Sequence, residues 1–112
     1  MTAANRARLL APDVGALVLE LAEAVPGEPP TAAAALCDLG EAEVGVWSIG
    51  AGVARDTEVD EVFVVLSGRA TVIVEDGETL HVGPGSAVRL FAGDRTTWQV
   101  HESLRKLYVA LG

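Results

Sequence analysis

Cysteine is almost absent: Cys37 is the only one in 112 residues. A lone thiol excludes any disulfide within the chain and any zinc site built from several cysteines, and it fits a reducing compartment. Basic residues are scarce as well. Eight Lys and Arg stand against 16 Asp and Glu, for a formal charge of −8, and only Arg105 and Lys106 are adjacent. Nucleic acid and anionic membrane surfaces both select for clustered cations, so neither partner is expected. No segment reaches the roughly 20 apolar residues of a spanning helix. Two arginines precede Leu9 and Leu10, but Pro12, Asp13, Glu20 and Glu23 interrupt what would be the apolar stretch of a signal peptide. The expected location is the cytoplasm.

What the chain does have is apolar residue, 50% of the total. A chain of this size buries roughly two-thirds of the surface its unfolded form exposes, enough for one domain with its own core. The segment "GALVLELAEA" is ambiguous. Leu17, Leu19 and Leu21 alternate as in a strand, while Ala, Leu and Glu favour helix. "VPGEPP" (25–30) stops either element, because proline lacks the amide proton that helix interiors and central strands need. "TAAAALCDLG" then permits a helical turn or an extended segment.

From Glu41 the pattern is one of short strands. "EVGVWSIG" alternates, "EVFVVL" is apolar on both faces, and "RATVIVE" alternates again. "ETLHV", "SAVRLF", "TWQVH" and "LRKLYVAL" complete the set. Glycine turns join them, and Asp76–Gly77 is a tight-hairpin signal because glycine takes the positive φ such turns require. Strands at this spacing predict an all-β antiparallel sandwich or barrel. There is no room for the crossover helices of a parallel sheet.

The order of these pieces resembles the cupin superfamily, whose fold is a double-stranded β-helix or jelly-roll barrel. Its first motif ends in a glutamate, six residues and a glycine, matched by Glu61, "VFVVLS" and Gly68. Its second motif opens on a glycine and closes on a Pro-x-Gly turn. Gly85 begins it here, Phe91 replaces the proline, and Gly93 keeps its place. "GVWSIGAG", "DEVFVVLSGRATVIVEDG", "VGPGSAV", "AGDRTTW" and "LRKLYV" together are similar to the subfamily related to the (S)-ureidoglycine aminohydrolase cupin domain. The resemblance implies a barrel over residues 40–112, with residues 1–39 an N-terminal arm and Pro-rich linker packed on it.

Cupins that hold a metal use two histidines spaced H-x-H, the motif glutamate and a third histidine. Counted back from Glu61, the pair falls on Ala54 and Asp56 or on Arg55 and Thr57, and the third on Thr96. No histidine stands at any of these. A transition-metal site and a cofactor are therefore not expected. Asp56 and Glu61 leave only a weak possibility for a hard cation such as Mg²⁺ or Ca²⁺. His81 and His101 alternate with apolar neighbours and are expected on the surface, as is Arg89 between Val88 and Leu90.

The resemblance implies that Glu61 is an inward carboxylate at the barrel mouth and the best candidate for a catalytic group. Such a group needs a partner, and Arg55 is the nearest basic residue in sequence, with Lys106 the other candidate. The expected ligand pocket comprises Trp47, Arg55, Asp56, Glu61, Phe63, Thr96, Trp98, Lys106 and Tyr108. Its expected occupant is a small polar or acidic metabolite. The alternatives are a hydrolase or isomerase for a ureide-like or carbohydrate-like substrate, and a protein-interaction or regulatory module. Strands apolar on both faces point to a homodimer.

Overall fold

The computed structural model describes residues 6–112. They form eight strands and no α-helix: β1 (Glu20–Leu21), β2 (Thr31–Leu39), β3 (Ala42–Ile49), β4 (Gly52–Thr57), β5 (Asp60–Val74), β6 (Thr79–Val82), β7 (Ala87–Leu90) and β8 (Arg95–Leu111). Every pairing is antiparallel. Two long strands organise the rest. β5 and β8 pair from Asp60↔Leu111 to Val74↔Thr96. The C-terminal half of β8 also pairs with β3, and its N-terminal half with β4. Likewise β5 takes β7 beside its first half and β6 beside its second. The sheet therefore folds over on itself as two layers that share β5 and β8, the jelly-roll arrangement expected.

The sequence pattern read "EVFVVL" and "RATVIVE" as separate strands joined by a turn at Ser67–Gly68; they are one strand. "TWQVH" and "LRKLYVAL" likewise merge into β8. The chain does not reverse at Ser67–Gly68 because β8 runs alongside throughout. It bulges instead, with register irregularities from Val65 to Ala70. The bulge resets which side chains point inward. Glu61, Phe63 and Val65 are buried before it, and Ala70 and Val72 after it. Gly68 makes this close approach of the two strands possible. It has φ +86, and a Cβ there would run into the Ser103 carbonyl and lie 2.6 Å from Leu104 Cα.

Of the ambiguous N-terminal segment only Glu20–Leu21 is strand, paired with Ala33 and Ala32 of β2. "TAAAALCDLG" is extended: as β2 it pairs with β3 from Thr31↔Ile49 to Leu39↔Ala42, with a bulge between Ala35 and Cys37. Arg105 Nη1 donates to the Val14 and Leu17 carbonyls, both at 2.8 Å, and so ties the preceding segment to β8. The core between the layers contains Ile49, Phe63, Val65, Val72, Trp98 and Leu104. On the opposite faces of β5 and β8, Val62, Val64, Val109 and Leu111 stay exposed. No helix among the described residues is long and apolar enough to cross a membrane.

Candidate functional site

The inward positions near one end of the barrel carry polar groups instead of aliphatic ones. Lys106 is the only lysine in the chain, yet it is just 6% exposed. Lysine is seldom buried unless paired. Its Nζ lies 2.5 Å from Glu61 Oε2. Three rings surround the ammonium, with centroids 4.3 Å away for Phe63, 4.6 Å for Trp47 and 5.2 Å for Trp98. Strand alternation assembles this group. Lys106 is the register partner of Trp47 on β3 and of Val65 on β5, and Trp98 lies on the same face of β8. The ion pair offsets the cost of taking two charges out of water, and the negative faces of the rings add to the hold on the cation.

Glu58 stands between β4 and β5, fixed through its backbone by Asp94 and Gly93. Its carboxyl is buried. Oε2 accepts from Thr96 Oγ1 at 2.6 Å and from Trp98 Nε1 at 3.2 Å. Burial pushes the Glu58 pKa above the ordinary carboxylate range. Its two hydrogen bonds pull it down, Asp56 pushes it further up, and the Lys106 charge opposes the rise.

Tyr108 donates to Glu43 Oε1 at 2.5 Å. Burial first, then that bond and the negative charges of Glu43 and Glu61, hold its phenol proton far beyond the ordinary range. Tyr108 is therefore a hydrogen-bond donor and not a base. Its ring is seated over Gly45, where a Cβ would lie 2.5 Å from the hydroxyl oxygen.

These groups border a cavity of about 630 Å³. Trp47, Glu58, Glu61, Trp98, Lys106 and Tyr108 form its walls, and Arg55, Asp56, Val25 and Glu28 also line it. The Pro-rich segment, which composition alone marks only as punctuation, thus supplies part of the lining. Glu28 Oε2 accepts the Arg55 backbone amide at 3.0 Å. Four carboxylates line the cavity against two cations, Arg55 and Lys106.

Seven of the nine residues expected in the pocket line this cavity. Phe63 and Thr96 do not. Phe63, 1% exposed, is core packing beneath the ammonium, because its strand neighbour Glu61 already occupies the inward position nearer the mouth. Thr96, 3% exposed, stands behind Glu58 as its hydrogen-bond donor. Arg55 is not the partner of Glu61; Lys106 is. Arg55 is exposed and lines the cavity without forming an ion pair with Glu61. Three carboxylates escaped the sequence reading: Glu58, Glu43 and Glu28. Glu58 was detectable in principle, since Ala54, Asp56 and Glu58 share one face of an extended chain. Arg55 and Asp56 also border a second depression of about 730 Å³, lined further by Thr57, Ile73, Glu75, Arg95, Thr96 and Thr97.

A transition metal, which a cupin barrel implies, does not fit these residues. Glu61 is engaged by an ammonium, Asp56 Oδ1 accepts the Thr57 amide at 2.8 Å, and no imidazole faces the cavity. No group of three or more His, Cys, Asp or Glu is arranged as metal ligands among the described residues. His81 and His101 are exposed, and both contact the Thr71 hydroxyl, at 3.4 and 2.9 Å. Arg89 is exposed too, pairing with Asp60 at 3.1 Å.

A folded-over antiparallel sheet with a pocket at one end, and the Glu61-to-Gly68 close of its first motif, defines a cupin barrel. Residues 36–108 match the EutQ-like cupin domain, and the chain belongs to that family. Among solved structures, it is similar to a Rhizobium leguminosarum protein of unknown function, at 32% identity over 72% of this chain and 80% of that one, with a TM-score of 0.65. It is also similar to a putative ethanolamine utilization protein Q from Salmonella typhimurium, at 25% identity over 73% and 69%, TM-score 0.60. The Clostridium difficile EutQ protein, at 21% identity over 74% and 68% and TM-score 0.64, shares the fold. No curated protein matches the chain.

Proposed function

We propose that this cupin binds a small polar metabolite in the barrel cavity without a transition metal. The observation that carries the reading is the buried Glu61–Lys106 pair, which brings charge into a cavity of about 630 Å³, within the usual range of small-molecule sites. A barrel serving only as scaffold would gain stability from apolar residues at these positions. The aromatic walls suit flat or aliphatic parts of a ligand, and Tyr108, Lys106 and Glu58 suit its polar groups. The acidic surplus disfavours a multiply charged anion, so neutral and singly charged metabolites fit best.

A thermal-shift screen with ureides, sugars, amino alcohols and small organic acids tests the proposal. A concentration-dependent rise in Tm that Trp47→Ala abolishes is expected. No shift with any compound class would favour the interaction-module reading. The enzymatic reading, a hydrolase or isomerase acting on a ureide-like or carbohydrate-like compound, keeps the same pocket and would show turnover of a compound that binds. For the homodimer, the support is the exposed row Val62, Val64, Val109 and Leu111, where Val62 and Val64 pair directly with Val109 and Leu107. Light scattering should report a dimer that Val62→Glu converts to monomer. A monomeric wild type would overturn it.

A further inference from the structure

Lys106 raises a question that binding alone does not answer. Burying a chain's single lysine between a carboxylate and three ring faces costs desolvation, and an ammonium held so tightly is a poor ligand for anything else. It is, however, well placed for covalent chemistry. Its proton acceptor, Glu61 Oε2, is 2.5 Å away. It lines the cavity together with Glu61 and Glu58. Glu58 uses only Oε2 for Thr96 and Trp98. No buried side-chain polar atom lacks a partner among the described residues, so Glu58 Oε1 is not sealed in the core.

We propose that Lys106 is a nucleophilic amine that captures the carbonyl carbon of a small aldehyde or ketone as an imine, with Glu61 and Glu58 carrying the protons. The proposal rests on the cavity being a small-molecule site. Glu61 takes a proton from the ammonium and frees the nitrogen lone pair. The amine attacks the carbonyl carbon, a C–N bond forms, and the π electrons move to oxygen, which takes a proton from Glu58. The Glu58 carboxylate takes back the second nitrogen proton. The C–O bond then breaks as the nitrogen lone pair forms C=N, and the proton held by Glu61 passes to the departing oxygen, which leaves as water, so both carboxyl groups return to their starting forms. In sum, a carbonyl and R–NH₃⁺ give R–NH⁺=C and water. The two hydrogens lost by nitrogen end on oxygen, and nothing is oxidised or reduced. Burial raises the Glu58 pKa, which favours the protonated form this role needs. The aromatic faces that hold the ammonium equally stabilise the cationic iminium.

The single lysine makes the test clean, because the only other amine is the N-terminus. The protein is incubated with glycolaldehyde or dihydroxyacetone and cyanoborohydride, and the reduced adduct is followed by intact mass and peptide mapping. The expected result is an adduct at Lys106 that forms faster in the folded protein than in the guanidinium-unfolded chain. Lys106→Arg, which keeps the cation, should abolish it. Glu58→Gln, which keeps an acceptor for Thr96 and Trp98, should slow it on the order of 10²-fold. An adduct confined to the N-terminus, equal rates in folded and unfolded chains, or full-speed trapping by Glu58→Gln would each overturn the proposal. Fluorescence of Trp47 and Trp98, the only tryptophans, separates the two levels. If it responds saturably to these probes without any adduct, imine formation falls and the binding site stands. If it stays silent and no adduct forms, the imine proposal falls and the binding site loses support as well.

Discussion

Removing either member of the Glu61–Lys106 pair should destabilise the protein, and removing the lysine should cost more. The two side chains are 8% and 7% exposed, so a charge left alone there has little water to turn to. Breaking a pair of this kind costs about 3–5 kcal/mol. The aromatic cage makes the loss unequal. In Glu61→Gln the ammonium still faces Trp47, Phe63 and Trp98 at 4.3–5.2 Å, contacts worth about 0.5–2 kcal/mol each, and the glutamine oxygen still accepts a hydrogen bond. In Lys106→Met the buried Glu61 carboxylate loses both its counter-charge and its hydrogen-bond donor. Lys106→Met should therefore fall at the upper end of the range and Glu61→Gln at or below the lower.

Against a total stability of about 5–15 kcal/mol for a domain of this size, both losses are measurable. Urea unfolding with a slope of about 1–3 kcal/mol per molar would show the midpoint dropping by one to several molar, roughly in that proportion. The double variant Glu61→Leu/Lys106→Met should recover much of the loss, since an apolar pair of similar volume often matches or exceeds a buried ion pair. If both single variants cost less than about 1 kcal/mol, the pair is solvated and the account of the cavity is wrong. If Glu61→Gln costs more than Lys106→Met, the cage does not hold the ammonium.

Tyr108 is the only tyrosine, so alkaline absorbance titration reads it alone. It should ionise well above the ordinary phenol range, and Glu43→Gln should lower the midpoint towards about 10; an unchanged midpoint would remove Glu43 as a cause. For Glu58 the folded-state pKa lies above the unfolded one. Its contribution to stability is then complete below the unfolded value of about 4.3 and is lost as pH rises through the folded value. Glu58→Gln has no such loss, so its stability relative to wild type should improve between pH 4 and pH 7 in urea unfolding; the opposite trend would show that Glu58 is held as a carboxylate. Gly68→Ala should cost about 3 kcal/mol or more, because positive φ and the Ser103 backbone exclude its Cβ together. A near-neutral result by thermal unfolding would mean that the Ser103–Leu104 backbone does not approach Gly68 this closely.

The fold was largely legible because its signals are local. Alternation in β6 and β8 and the spacing from Glu61 to Gly68 survive into the structure, and a turn does form at Asp76–Gly77, although it is Asp76 (φ 58°) and not Gly77 that takes the positive φ. The strand count was not. A bulge such as that at Val65–Ala70 and a turn both ask for small residues and glycine, and only the partner strand decides between them. The pocket was legible where alternation reaches it, at Trp47, Glu61, Trp98, Lys106 and Tyr108. It was not legible where burial depends on a distant element. Nothing near Glu58 in sequence announces Thr96 and Trp98, and nothing in "VPGEPP" announces that Glu28 will meet the Arg55 amide. Arg55 is the nearest basic residue to Glu61 in sequence, yet proximity along the chain counts for little, and Glu61 pairs with Lys106 instead. Lys106 reaches Glu61 because β5 and β8 are neighbours, 45 positions apart in the chain.

On the proposed reading of the cavity as a ligand site, the Glu61–Lys106 pair also bears on which occupant fits. A barrel holding a divalent ion would present an external, exchangeable cation to its ligand, and binding would track the metal supply. Here the cation is part of the chain, at a fixed ratio and a fixed position. Its charge is largely cancelled by Glu61, so it exerts little long-range attraction on an anion. Of the other charged residues in the lining, Arg55 and Asp56 are exposed and Glu28 is half-buried. The field deep in the cavity is therefore set by dipoles and by proton positions on Glu58 and Tyr108, both of which burial biases towards the protonated form. A site of this kind selects by hydrogen-bond complementarity at short range, where a missing partner costs about 1–3 kcal/mol, more than by net charge. Closely related neutral ligands differing by one hydroxyl or amine should accordingly differ in affinity by roughly ten- to a hundredfold.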